Sequence, residues 1–149
     1  MDRRTLLRGF LGGSVALAAG GLAAGYALTR DRFEGDAATP PEALAAATSG
    51  DLVLVDIRRP DEWARTGLPA PAHGIDMRRD DFVDALLELT GGARDRPVAL
   101  ICARGVRSDR MSARLAEAGF TRIVDVPEGM LGSRAGPGWL ERGLPVRRP

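Results

Sequence analysis

Val98-Ala-Leu-Ile-Cys-Ala-Arg-Gly-Val-Arg-Ser108 runs from a continuous apolar stretch into a cysteine, a glycine and two arginines. It reads as a strand over Pro97 to Ile101, a tight loop, and a helix from Ser108 to Ala118. A short apolar run without alternation is the pattern of a strand covered on both faces, which favours a parallel sheet. Leu52-Val-Leu-Val-Asp-Ile57 repeats the pattern, and Thr121 to Val126 is a further strand rich in β-branched residues. Helices separate these strands. Thr39-Pro-Pro-Glu42 has the form of a capping box with proline at the first helical position, so a helix over Pro40 to Ala47 is expected before Gly50. Pro60 to Arg65 reads as a proline-initiated helical turn, and Thr66-Gly-Leu-Pro-Ala-Pro71 as a break. Arg79 to Leu89 places Phe82, Leu86 and Leu89 on one face, with Val83 and Leu87 beside them, and Gly91-Gly92 stops it. Met111 and Leu115 do the same in the helix after the cysteine. Strand–helix alternation predicts an α/β sandwich about a parallel sheet.

Cys102 is the only cysteine, so it closes no intramolecular disulfide. A lone cysteine after an apolar strand is often just a small buried hydrophobe, but two flanking arginines and a glycine are not needed for packing. Three sources of positive potential are expected to converge on the thiol: the helix N-terminus, the backbone N–H groups of a curled loop, and the guanidinium groups of Arg104 and Arg107. Each favours thiolate over thiol. Gly105 suits a turn with positive φ, which lets loop amides face the sulfur. One histidine and one cysteine make no metal-ligand cluster, and no cofactor is implied. His73 is given no catalytic role, and Trp63 and Trp139 are expected as core anchors.

Cys102-Ala-Arg-Gly-Val-Arg-Ser108 resembles the C-x-x-G-x-R-S active loop of single-domain rhodanese-like sulfurtransferases. Leu54-Val-Asp-Ile-Arg-Arg-Pro-Asp-Glu-Trp63 resembles the family's L-I-D-V-R-x-P-x-E-[WFY] segment, Ala118-Gly-Phe120 its helix end, and Trp139 to Pro145 its W-x-x-x-G-L-P terminus. The likeness spans about residues 40 to 147 and implies a rhodanese-like three-layer α/β/α sandwich around a central parallel sheet. Cys102 would be catalytic and Ala103, Arg104, Gly105, Val106, Arg107 and Ser108 the anion-binding loop. Asp56 and Arg58 are expected to support the architecture through ion pairs. Three departures stand out. Gly67-Leu-Pro-Ala-Pro-Ala72 replaces the family's G-H-I-P-G-A, so Leu68 stands where a histidine is usual. Asp76 replaces a proline after Ile75. Pro127 to Gly138 is longer than the family's G-G-x-x-x-W, and Glu128, Met130, Ser133 and Arg134 are expected to border the pocket at the sheet's C-terminal edge.

The 149 residues are 44% hydrophobic, and all 21 basic residues are arginine. Residues 1–32 carry five Arg and two Asp, net +3. The remainder carries sixteen Arg and eighteen acids, net −2, which argues against nucleic-acid binding by the folded part. Met-Asp-Arg-Arg-Thr-Leu-Leu-Arg8 followed by the apolar run Gly9–Leu28 has the order of an export signal, and adjacent Arg3 and Arg4 resemble a twin-arginine signal. The expected place is therefore the periplasm or the outer face of the bacterial inner membrane. Gly9–Leu28 is 20 residues, about enough to span a hydrocarbon core of roughly 30 Å, so a cleaved signal and a retained membrane anchor are both open. Residues 1–32 are thus a signal or anchor, 33–39 a linker, and 40–149 the domain.

The expected chemistry is covalent. The Cys102 thiolate takes a sulfane sulfur from thiosulfate or a persulfide donor, small molecule or protein, and passes it to a thiophilic acceptor. The alternatives are a persulfide carrier without turnover and a phosphatase or arsenate reductase. A cysteine-dependent phosphatase places its phosphate-gripping arginine six positions after the cysteine. Here that position is Ser108.

Overall fold

The computed structural model describes residues 33–149. In chain order the elements are β1 (Asp36–Ala37), α1 (Pro40–Ser49), β2 (Val53–Asp56), α2 (Pro60–Thr66), β3 (Leu68–Pro69), β4 (His73–Gly74) and α3 (Phe82–Leu89). There follow β5 (Val98–Ile101), α4 (Val106–Glu117), β6 (Ile123–Asp125), α5 (Gly138–Glu141) and β7 (Val146–Arg147). Five strands form one parallel sheet in the order β1-β6-β5-β2-β4. The two central pairings run Val53↔Val98 to Asp56↔Ile101 and Val98↔Ile123 to Leu100↔Asp125.

Alternation along the strands builds two apolar layers. Val53, Val55, Val98, Leu100 and Ile123 pack with Phe82 and Leu86 of α3 and with Met111 and Leu115 of α4. Leu54, Ala99 and Ile101 point the other way, onto Ala43 of α1 and onto Met130 and Trp139. Helices on both faces explain why the central strands are apolar at every position. The architecture is the α/β/α sandwich around a parallel sheet expected from the sequence. Cys102 continues the parity of Val98 and Leu100 and belongs to the α3–α4 layer.

Several boundaries differ for identifiable reasons. α1 continues to Ser49, with Glu42 accepting both the Thr39 N–H (2.8 Å) and the Thr39 hydroxyl (2.7 Å). α3 starts at Phe82 rather than Arg79, because Arg78 grips Asp76 and Arg79 grips Asp81 in local pairs that shape a turn first. α4 starts at Val106, two residues before the expected Ser108, which leaves only Ala103, Arg104 and Gly105 in the loop. The stretch expected to break after Thr66 contains β3, antiparallel to β7. That pairing joins distant segments, so no local pattern announces it. Residues 36–37, expected in a linker, form β1 beside β6, and Ala38 N–H donates to the Asp125 carbonyl at 2.9 Å. Phe33 packs on the core. Trp139 is fully buried, whereas Trp63 is only half-buried, its ring lying over Gly74.

The twin-arginine pair and the apolar run lie outside the described residues. Among the described residues no helix is long and apolar enough to cross a membrane.

Candidate active site

Cys102 follows the last residue of β5 at the C-terminal edge of the sheet, where the chain turns into α4. Its Sγ accepts the Gly105 N–H at 3.2 Å and the Ser108 N–H at 3.4 Å. The Ser108 hydroxyl is 3.6 Å from Sγ and donates to the Gly105 carbonyl at 3.1 Å. The first N–H groups of a helix have no partner inside it, so an anion at this place meets donors that the helix leaves unused. Cys102 is 1% exposed.

Two glycines make the loop possible. Gly105 has φ +86°, and a Cβ there would run into the Pro127 carbonyl oxygen. Gly129 has φ +68°, and a Cβ there would lie 2.5 Å from the Ala103 carbonyl oxygen. The chain after β6 therefore lies directly on the loop. Met130 N–H donates to the Cys102 carbonyl and Leu131 N–H to the Ala103 carbonyl, both at 2.9 Å. These bonds fix the backbone on either side of the sulfur.

The arginines do not both converge on the thiol. Arg104 is exposed and donates to the Gly132 carbonyl at 3.2 Å, away from Cys102. Arg107 closes a two-pronged pair with Glu62 of α2 at 2.8 and 2.7 Å. The Arg107 hydrogen bonds hold the Glu62 carboxyl down at about 2, against its partial burial, with Arg59 adding to the effect. Arg107 is raised chiefly by Glu62, with smaller contributions from Cys102 and Asp56, so its charge is still felt at the sulfur. The backbone forms the direct cradle and Arg107 supplies field and anchorage. Glu62 sits in the segment quoted above beside Trp63, but 45 residues separate it from Arg107, and only the fold joins them.

Asp56 and Arg58 are 0% and 1% exposed and bind each other through the Arg58 Nε and Nη2 at 2.7–3.0 Å. Arg58 also donates to the Thr66 hydroxyl at 2.8 Å and the Gly67 carbonyl at 2.7 Å. The pair thus fastens the end of α2 to the end of β2. It supports the helix that carries Glu62 rather than the cysteine loop itself.

Asp125, which sequence reasoning passed over as a strand residue, ends β6 beside the same loop. It is 6% exposed. Burial pushes its carboxyl up to about 6; the Ser108 hydroxyl and the Val126 N–H oppose the shift and Asp109 adds to it. Its signal in the sequence was an acid at the end of a β-branched strand, which does not say which face it takes.

The long segment after β6 differs from expectation. Glu128 is 2% exposed, bound to Arg142 at 2.8 and 2.7 Å and to the Gly138 N–H at 2.9 Å. Met130 is fully buried in the α1–α5 layer, and Ser133 donates to the Pro127 carbonyl at 2.7 Å. Of the four residues expected at the pocket rim, Glu128 and Met130 are structural. The extra length is consumed in folding back on itself. His73 is exposed in edge strand β4, and Leu68, where a histidine is usual, is buried.

Residues 39–134 match the rhodanese-like domain family. A sulfurtransferase of Allochromatium vinosum is 30% identical over 107 residues, covering 69% of this chain and 85% of that protein. A thiosulfate sulfurtransferase of Actinobacillus succinogenes is 26% identical over 108 residues, covering 72% and 86%. Among solved structures, the 30 kDa polysulfide-sulfur transferase homodimer from Wolinella succinogenes superposes with a TM-score of 0.60 at 27% identity, over 90% of this chain and 91% of that one. The chain belongs to the rhodanese-like domain family.

Proposed function

We propose that this protein is a sulfurtransferase that carries sulfane sulfur on Cys102. The observation that carries the reading is the pair of backbone N–H groups, from Gly105 and Ser108, aimed at Sγ where the sheet hands over to α4. Such donors stabilise a thiolate, and after the first half-reaction they stabilise the persulfide in its place. With thiosulfate as donor, the Cys102 thiolate attacks the outer sulfur. A new S–S bond forms, the sulfur–sulfur bond of thiosulfate breaks, and sulfite leaves with the electron pair. A thiophilic acceptor then attacks the terminal sulfur and releases the thiolate. The sulfurtransferase relatives support thiosulfate or a polysulfide as donor. Within the loop, Gly105 and Ser108 hold the sulfur through their backbone N–H groups, while Asp56 and Arg58 act through α2.

The phosphatase alternative loses support at Arg107, because both prongs of its guanidinium are taken by Glu62 rather than free for a phosphate. The deciding experiment is intact-mass analysis after exposure to thiosulfate. A gain of one sulfur on the full chain, absent in Cys102→Ser, is the expected result, and turnover with cyanide separates an enzyme from a carrier. A Cys102→Ser protein that still transfers sulfur overturns the proposal. Aryl-phosphate hydrolysis that depends on Cys102 does so as well.

A further inference from the structure

A buried thiol must lose its proton before it attacks, and Cys102 is 1% exposed, so its proton needs an acceptor inside the protein. The space between α4 and β6 holds one. Ile123 belongs to the α3–α4 layer, and the strand alternation turns Asp125 to the same side. On α4, Ser108 and Ser112 lie one turn apart and are both fully buried. Asp125 Oδ1 and Ser112 Oγ are buried without a hydrogen-bond partner among the described residues. A carboxylate placed for stability is satisfied, as Asp56 is by Arg58. An orphaned buried carboxylate oxygen is costly and calls for an explanation.

The register sets Asp125 opposite Leu100 on the neighbouring strand, two residues before Cys102 and at the same sheet edge. Ser108, in the first turn of α4, relates to both groups. Its hydroxyl is 3.6 Å from Sγ, and it is the side chain that favours the ionised form of Asp125.

We propose that Asp125 is the proton acceptor for Cys102, reached through the Ser108 hydroxyl. The Cys102 S–H bond breaks as its proton moves to Ser108 Oγ. The Ser108 O–H, turned from the Gly105 carbonyl, passes its own proton to the Asp125 carboxylate. The products are a thiolate, an unchanged serine and a neutral carboxylic acid, which returns its proton to solvent at the sheet edge. The inference rests on the reading of Cys102 as the nucleophile.

The groups around Asp125 suit this role. From α4 come the Ser108 hydroxyl and the Asp109 carboxylate, which itself accepts the Phe33 N–H at 3.1 Å. β5 contributes Cys102, and β1 contributes Ala37 opposite Asp125, with Asp36 exposed next to it. Glu128 in the following segment is held by Arg142. With no ion-pair partner among the described residues, Asp125 ionises near 6 and is charged at neutral pH, yet basic enough to accept a proton.

The test is the rate of persulfide formation on the full chain from thiosulfate, followed by mass across the pH range. The wild-type rate is expected to fall on the acid side with an apparent pKa of about 6. Asp125→Asn is expected to slow the reaction at neutral pH about tenfold or more and to move the acid limb to higher pH, with full sulfur uptake still reached there. Ser108→Ala should give the same displacement, with no further loss in the double variant. Asp125→Glu, which keeps the carboxylate, should recover part of the neutral-pH rate and serves as the folding control. An Asp125→Asn profile that overlays the wild type, or a uniform loss at all pH values in a variant that still melts cooperatively, overturns the proposal. Absence of sulfur uptake by the wild type would instead remove the reading of Cys102 beneath it.

Discussion

Arg107 and Glu62 each complete the other, and the two charge-assisted bonds between them lock the first turn of α4 against α2. Glu62 is depressed from 4.5 to about 2 by folding, so its contribution is fully present above the ordinary glutamate range and is lost as pH falls towards 2. The pair is partly solvent-screened, and its size falls with added salt. Urea unfolding of wild type and Glu62→Gln should therefore differ at neutral pH and converge near pH 2. A gap that persists there would place the effect elsewhere. Asp125 runs in the opposite sense. Its folded value of about 6 stands above the ordinary 3.8, so the folded state binds the extra proton between them and stability is lost as pH rises through 6. Asp125→Asn should make the protein more stable at neutral pH by roughly 1–3 kcal/mol, with little change near pH 4. A carboxylate that weakens the fold while serving a site is a common stability–activity trade.

At the scale of elements, the junction of β5, loop and α4 depends on Gly105. Alanine there must adopt φ near +86° and displace the Pro127 carbonyl. A loss of roughly 2–4 kcal/mol is expected from strain and clash, read as a lower urea midpoint with unchanged slope, together with slower persulfide formation. A wild-type midpoint would mean that the 127–131 segment gives way freely. α2 is held from its other end by Asp56 and Arg58. Removing one partner strands a buried charge, so Asp56→Asn should cost roughly 3–5 kcal/mol in unfolding free energy. The Arg58 bonds to Thr66 and Gly67 lie on the helix that carries Glu62, so the substitution should also shrink the neutral-pH difference in urea unfolding between wild type and Glu62→Gln.

At the scale of the molecule, we propose that the N-terminal Arg3-Arg4 pair and the apolar run that follows direct export of the domain. Replacing both arginines by lysine is expected to leave the protein in the cytoplasmic fraction, measured by cell fractionation against a periplasmic marker. Undiminished export would point to the general secretory route. On that proposal, a single cysteine without a partner thiol would depend on reductants or a partner protein to reverse oxidation.

Much of the fold was legible because it is written in nearest neighbours along the chain. The uninterrupted apolar runs at Leu52–Ile57 and Val98–Ile101 require cover on both faces, and that requirement yields the parallel sheet and its two helical layers. Cys102, Gly105 and Ser108 are likewise local: strand end, positive-φ turn and first helical turn lie within seven residues, and their spacing by itself brings two N–H groups to the sulfur. What lies further apart was decided only in three dimensions. Arg107 could have faced the sulfur, and it turned to Glu62 because α2 delivers a carboxylate within reach of both prongs. The two-residue strands β1, β3 and β7 are too short to carry a period and exist through the partners that the packed core brings beside them. Asp125 has the same neighbours in sequence whichever face it takes; the register of β6 against β5 places it on the α4 side of the sheet, its Oδ1 without a partner among the described residues.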